Sequence, residues 1–140
     1  MKGFLKAVVM GFGLVSSLQA VAANVEWYYK NFAPIDLAYL KGCGQKTAYD
    51  GYLSSMTKAL KIAPEIDHNR TNEFVRLLLT QVDNEYYMLG FQRFYEYESS
   101  GQPGPNPAAG VKEGCDTGVS DALKNRIKIN ELSLRALGVR

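Results

Sequence analysis

Two cysteines, Cys43 and Cys115, bound what this 140-residue chain can fold into. Bridged, they would close a loop of about 72 residues, worth on the order of 4 kcal/mol in the chain-entropy picture. That is a large share of the stability of a small domain. Whether they pair depends on the compartment. An even pair in an exported chain reads as one disulfide, and two free thiols are the alternative.

The N-terminus points to export. Lys2 and Lys6 precede a mostly apolar run from Ala7 to Leu18, and Ala20-Val21-Ala22-Ala23 offers small residues at a cleavage site. This is the pattern of a secretory signal peptide over residues 1–23, with cleavage expected before Asn24 and the bond before Ala23 as runner-up. The competing reading is an uncleaved anchor, but the run is shorter than the roughly 20 apolar residues a span needs. Beyond Asn24 no second long apolar run occurs, so no stable membrane insertion is expected after cleavage. A bacterial periplasm fits best, with a secreted eukaryotic protein as the alternative.

Removing the signal also corrects the charge. The whole chain has 16 Lys plus Arg against 14 Asp plus Glu, and two of the cations are Lys2 and Lys6. The remaining residues, 24–140, are net neutral and suit a single domain. A neutral domain gives no electrostatic case for nucleic acid or an anionic membrane surface.

Periodicity predicts an all-α fold of about four helices. The aromatic segment from Val25 to Phe32 is ambiguous between strand and helix. Ala33-Pro34-Ile35-Asp36 reads as the start of a short first helix, with Pro in the first turn and an acid near the positive end. Gly42-Cys43-Gly44 stops it. A second helix is expected from about Lys46 to Ile62, closed by Ala63-Pro64, with Ala48, Tyr52, Met56, Ala59 and Leu60 at helical spacing. The third is long, from the capping residues near Asn69 to about Glu98. Its early half aligns Phe74, Leu77, Leu78 and Val82. Its later half contains YYMLGFQRFYEY and turns Tyr87, Phe91, Phe94 and Tyr95 to a different arc. Gly90 lies near the change, so this helix either meets different partners at its two ends or bends there, and it reads as the central one.

Residues 99–110 hold three prolines and three glycines and are expected to form an extended loop. A turn around Cys115 follows. The last helix is expected from about Val119 to Leu137, capped by Ser120 or Asp116, with Val119, Leu123, Ile127, Leu134 and Leu137 as its stripe and Ile129 and Leu132 flanking. The disulfide would then tie the end of the first helix to the start of the last.

No catalytic motif emerges. His68 is the only histidine, so a metal site lacks convergent ligands. The stretch from Asp67 to Asn72 lacks the glycine of a calcium loop, and Leu78 stands where the bidentate acid belongs. Asn69-Arg70-Thr71 matches a glycosylation acceptor, relevant only in a eukaryotic host. Gly42-Cys43-Gly44-Gln45-Lys46 is not a phosphate loop. Gln81, Glu85, Gln92 and Glu96 read as a solvated polar stripe. No cofactor is expected.

Binding is the better supported role. The loop from Ser99 to Gly114 is long for a compact domain, and its prolines lower the entropy cost of holding one shape. All nine tyrosines lie beyond the signal, and tyrosine is enriched at interfaces because it joins a large apolar body to a polar tip. Phe91 and Phe94, with Tyr87 and Tyr95, are assigned chiefly to the core. Tyr86 and Tyr97 are expected on the other side, near the base of the loop. The candidate partner-binding residues are Tyr86, Tyr97, Gln102, Pro103, Pro105 and Asn106.

The signal peptide, the small helical body, Leu40-Lys41-Gly42-Cys43 after an early helix and Gly114-Cys115-Asp116 before the last one together resemble the Tai-type immunity proteins. These protect bacteria against peptidoglycan amidases delivered by type VI secretion. The resemblance implies a homodimer that blocks a toxin's cleft partly with a protruding loop, whose nearest equivalent here is Ser99 to Gly114. Two other roles fit an exported helical protein: an accessory component of a pilus, conjugation or secretion machine, and a small acid-stress chaperone. The single histidine and modest carboxylate count do not favour the last.

Overall fold

A computed structural model describes residues 26–62 and 68–138 of the chain. The signal segment, its cleavage point and the Ala63-Pro64 stop lie outside the described residues. Six helices occur there and no strand: α1 over residues 26–42, α2 Lys46–Ile62, α3 His68–Met88, α4 Phe91–Ser100, α5 Gly110–Glu113 and α6 Cys115–Ala136. The all-α expectation holds; the count of four does not, and the helices depart from the expected ones in three places, the last two of which each add a helix.

First, α1 does not start at Pro34. It already includes residue 26 and runs through the proline, so the ambiguous aromatic segment is helical over residues 26–32. Pro34 forfeits one backbone hydrogen bond inside a helix. Burial outweighs that loss, because Tyr29, Ala33, Leu37, Ala38 and Leu40 are all fully buried. A helix this apolar on several sides is the one the others pack around. The central helix is therefore α1, not the long third helix expected from periodicity.

Second, that long helix is two. α3 ends at Met88 and α4 begins at Phe91, with Gly90 in the left-handed region at φ 92°. The bend expected near Gly90 is a complete break. Third, the stretch after the proline-rich loop is helical earlier than expected. α5 occupies Gly110–Glu113, and α6 starts at Cys115 rather than Val119. Its N-cap is Gly114, with no side-chain cap, so neither Asp116 nor Ser120 performs that role.

Close approach by small residues sets the helix packing. A Cβ on Gly118 would lie 2.6 Å from the ring of Tyr39, so α6 meets α1 at a glycine. Gly42 lies so close against the Phe91 ring that a side chain there would collide with it. These contacts also decide which face of α6 is inside. Ala122, Ile129, Leu132 and Ser133 are buried, while Leu123, Ile127, Leu134 and Leu137 are exposed. Of the expected stripe only Val119 packs against the core; the other four residues face outward, because Gly118 and Ala122 let the backbone approach where larger side chains would hold it off.

One hydrophobic core joins α1, α2, α3 and α6. Cys43, just past α1, is bridged to Cys115, the first residue of α6, as expected from the sequence. Inside the core sits a polar clasp. The Tyr52 hydroxyl donates to Asp36 Oδ2 at 2.7 Å, and Asn125 Nδ2 donates to both carboxylate oxygens at 3.2 and 3.0 Å. Asp36 is only 5% exposed. Burial raises its pKa, partly offset by these two donors. One carboxylate thereby links α1, α2 and α6.

Candidate partner-binding surface

The surface begins at the α3–α4 break. Gly90 redirects the chain so that Phe91 enters the interior, stacked on Tyr86 with ring centroids 5.4 Å apart and edge-on to Tyr39 at 6.0 Å. The Tyr95 hydroxyl donates to the carbonyl of Gly42. α4 is thus fixed to the C-terminal end of α1, beside the disulfide. Its outer face carries Gln92, Arg93 and Glu96, with Gln92 Nε2 donating to Glu96 Oε1 at 2.9 Å. Lys112 of α5 lies over the rings of Phe94 and Tyr95, at 5.0 and 5.5 Å.

Gly101, at φ 69°, ends α4 in the left-handed region and releases the proline-rich loop. The loop does not float. The Tyr97 hydroxyl is shared between the carbonyls of Pro103 and Gly104, at 3.1 and 3.2 Å. Asn106 Nδ2 donates to the Phe94 carbonyl at 2.9 Å and to Glu98 Oε1 at 3.0 Å, while its Oδ1 accepts from the Ala108 N–H at 2.9 Å. Ser100 Oγ accepts from the Gln102 N–H at 3.3 Å. Three side chains therefore pin residues 102–108 back onto α4.

Between the loop and α4 lies an open cleft of about 440 Å³, lined by Arg93, Glu96, Tyr97, Gln102, Asn106 and Pro107 among others. Three of the sequence-predicted residues, Tyr97, Gln102 and Asn106, meet there. A second shallow groove shares Glu96 and Ser100 with the first and is lined by Tyr86, Gln92 and Tyr95. Tyr86 therefore belongs to a different groove, not to the loop base. Half-buried against Phe91, it has its pKa raised by that burial and, secondarily, by Tyr95. Pro103 and Pro105 are exposed outside the lining of both hollows; Pro103 contributes its carbonyl to Tyr97.

Two core assignments need correction. Tyr87 is 55% exposed and Tyr95 36% exposed. The break at Gly90 puts them on separate helices, so the single-helix arc that placed them inside does not exist. Phe91 is buried as expected and Phe94 is half-buried. Sequence reading missed Arg93 and took Glu96 for a solvated stripe. Only the fold of the loop back onto α4 gives these two a site.

Elsewhere the surface offers little chemistry. Among the described residues no group of three His, Cys, Asp or Glu is placed to hold a metal ion. No helix among them is long and apolar enough to cross a membrane. The Asn69-Arg70-Thr71 triplet lies in the first turn of α3 with Thr71 buried, not in an exposed loop. Comparison with family models, curated proteins and solved structures finds no match.

Proposed function

We propose that this chain is an exported, non-enzymatic binding protein that engages another protein through the α4–loop cleft. Its role in this reading is that of a periplasmic immunity protein, occupying the active site of a cell-wall-degrading toxin. The observation that supports it most is the pinned loop. Tyr97 and Asn106 hold a proline-rich projection in one shape, so less ordering entropy is lost when it inserts into a partner. The cleft beside it presents a cation, an acid and an amide, Arg93, Glu96 and Gln102, the polar mix of a specific interface rim. The disulfide supports an oxidising compartment.

The test pairs the purified protein with the peptidoglycan hydrolase encoded beside its gene. Stoichiometric inhibition is expected, weakened more than tenfold by Arg93→Glu or by deleting residues 102–110. Absence of inhibition would refute the immunity role. Inhibition untouched by either change would refute the surface.

A further inference from the structure

The neutral balance of residues 24–140 conceals a separation of charge along the bundle. Contacts fix how the long helices run. Asp36 meets Tyr52 across the turn between α1 and α2, so these two are antiparallel and Ile62 returns to the end where α1 begins. Lys30 lies over Phe74 and Lys41 over Tyr86, so α3 runs parallel to α1 and starts at that same end. The disulfide and the Asn125–Asp36 contact run α6 the opposite way, so it finishes there. The halves of the four helices at this end, residues 26–34, 54–62, 68–77 and 127–136, carry seven Lys and Arg against Glu26, Glu73 and Glu131. The remaining described residues carry six cations against nine acids. Counting Glu65, Asp67 and Arg140, which adjoin these helix ends in the sequence, the first end keeps an excess of three positive charges. Lys58, Lys61, Lys128 and Arg135 there are exposed and form no ion pair among the described residues.

The same end presents large apolar side chains. Trp27 is 53% exposed, Leu134 49% and Leu137 50%. The Trp27 ring meets Tyr28 and Phe32 edge-on, with centroids 5.4 and 5.7 Å apart.

We propose that this end of the bundle is a docking surface for an anionic lipid bilayer, with Lys58, Lys61, Lys128 and Arg135 at the phosphates and Trp27 at the boundary between headgroups and acyl chains. Two observations select a bilayer. The first is charge complementarity joined to composition. Basic side chains reach headgroups while Trp settles at the boundary, and a surface offering both is what a lipid interface takes up. A dissolved polyanion would use the cations and leave Trp27 idle. The second is where the preceding chain arrives. The apolar run ends at Leu18, nine residues before Trp27, at most about 30 Å of extended chain. The segment patterned for export therefore brings this end, not the other, to the membrane. The acids of the far end do not cancel the effect. α1 is about 25 Å long, more than two screening lengths at physiological salt. The α4–loop cleft hangs at the far end beside the disulfide, so it would point away from the bilayer. The docking surface itself does not depend on the binding role proposed above.

The test is co-sedimentation of the protein recovered after export with vesicles of phosphatidylcholine containing about 30% phosphatidylglycerol. At about fivefold per excess cation, binding should be on the order of a hundredfold tighter than to phosphatidylcholine alone, and it should weaken as salt rises. Trp27 is the only tryptophan of the chain, so its emission should shift to the blue on binding. Lys61→Glu should weaken binding more than fivefold with an unchanged helical spectrum, and Lys58→Glu serves as a second variant. Lys46→Glu, the same charge change at the disulfide end, should leave it unaltered. Trp27→Ser should weaken binding to vesicles but not to dissolved polyphosphate. Failure to bind the anionic vesicles would overturn the proposal, as would equal losses from Lys46→Glu and Lys61→Glu. So would vesicle binding indifferent to Trp27→Ser, the result of a general polyanion surface.

Discussion

Replacing Tyr52 with Phe removes one oxygen from the buried clasp and leaves the ring in place. The oxygen donates to Asp36 at 2.7 Å, in a site where the carboxylate is 5% exposed. A hydrogen bond to a charged group is worth about 1.5–3 kcal/mol. For a domain of this size that corresponds to a fall in Tm of roughly 5–15 °C. The penalty should depend on pH, and its sign follows from Asp36. Burial raises the folded pKa above the ordinary 3.8, so the folded state favours the protonated acid. The contribution of this group to stability is therefore fullest below 3.8 and is lost as pH rises through the raised folded value. The Tyr52 donor lowers that pKa by stabilising the ionised form. Removing it should cost little in acid, where Asp36 is neutral in both proteins, and the full amount near neutrality. Thermal melts followed by circular dichroism from pH 3 to pH 7 measure the difference directly. A penalty that is flat with pH, or largest in acid, would refute the assignment of Tyr52 as donor to an ionised Asp36.

Three further outcomes follow from the packing. Gly118→Ala places a methyl 2.6 Å from the Tyr39 ring and should destabilise by about 1–3 kcal/mol in urea unfolding, since α6 cannot otherwise approach α1. Reducing the Cys43–Cys115 bridge, or replacing both cysteines with Ser, should cost on the order of 4 kcal/mol, read as a lower urea midpoint. Asn106→Ala removes the two donor contacts to α4 and the acceptor for the Ala108 N–H. Amide exchange over residues 102–109 should then accelerate by more than tenfold while the core amides stay protected.

The helical class and the disulfide were legible because both depend on local or pairwise signals. Tyr52, Met56, Ala59 and Leu60 sit at helical spacing and are buried as that spacing predicts. The errors arose where packing overrode periodicity. Pro34 looked like a helix start, yet burial on both sides of it carried α1 through. On α6 the larger apolar residues formed the more obvious stripe, but the smaller Gly118 and Ala122 won the interior through close approach to a neighbouring ring. Neither Gly118 nor Ala122 announces such a contact in sequence. At the site, proline content marked the loop, and Tyr97, Gln102 and Asn106 proved to share a cleft. Arg93 carried no signal, because its place depends on where a loop ten residues later folds back. Asp36 was read as an acid at a helix N-terminus and is a buried link between three helices.

The bridge between Cys43 and Cys115 has a mechanical consequence. It makes α2, α3, α4, the loop and α5 a closed ring, with α1 and α6 leaving it from one point. Tension applied to the two ends of the chain would pass from α1 through the sulfur pair into α6 and bypass the ring. Only the stretches before Cys43 and after Cys115 could lengthen, so the covalent cross-link shields the pinned loop and its cleft from load. A reduced chain pulled the same way would yield the 72-residue interval as well. At about 3.5 Å per residue, that is roughly 250 Å of additional extension.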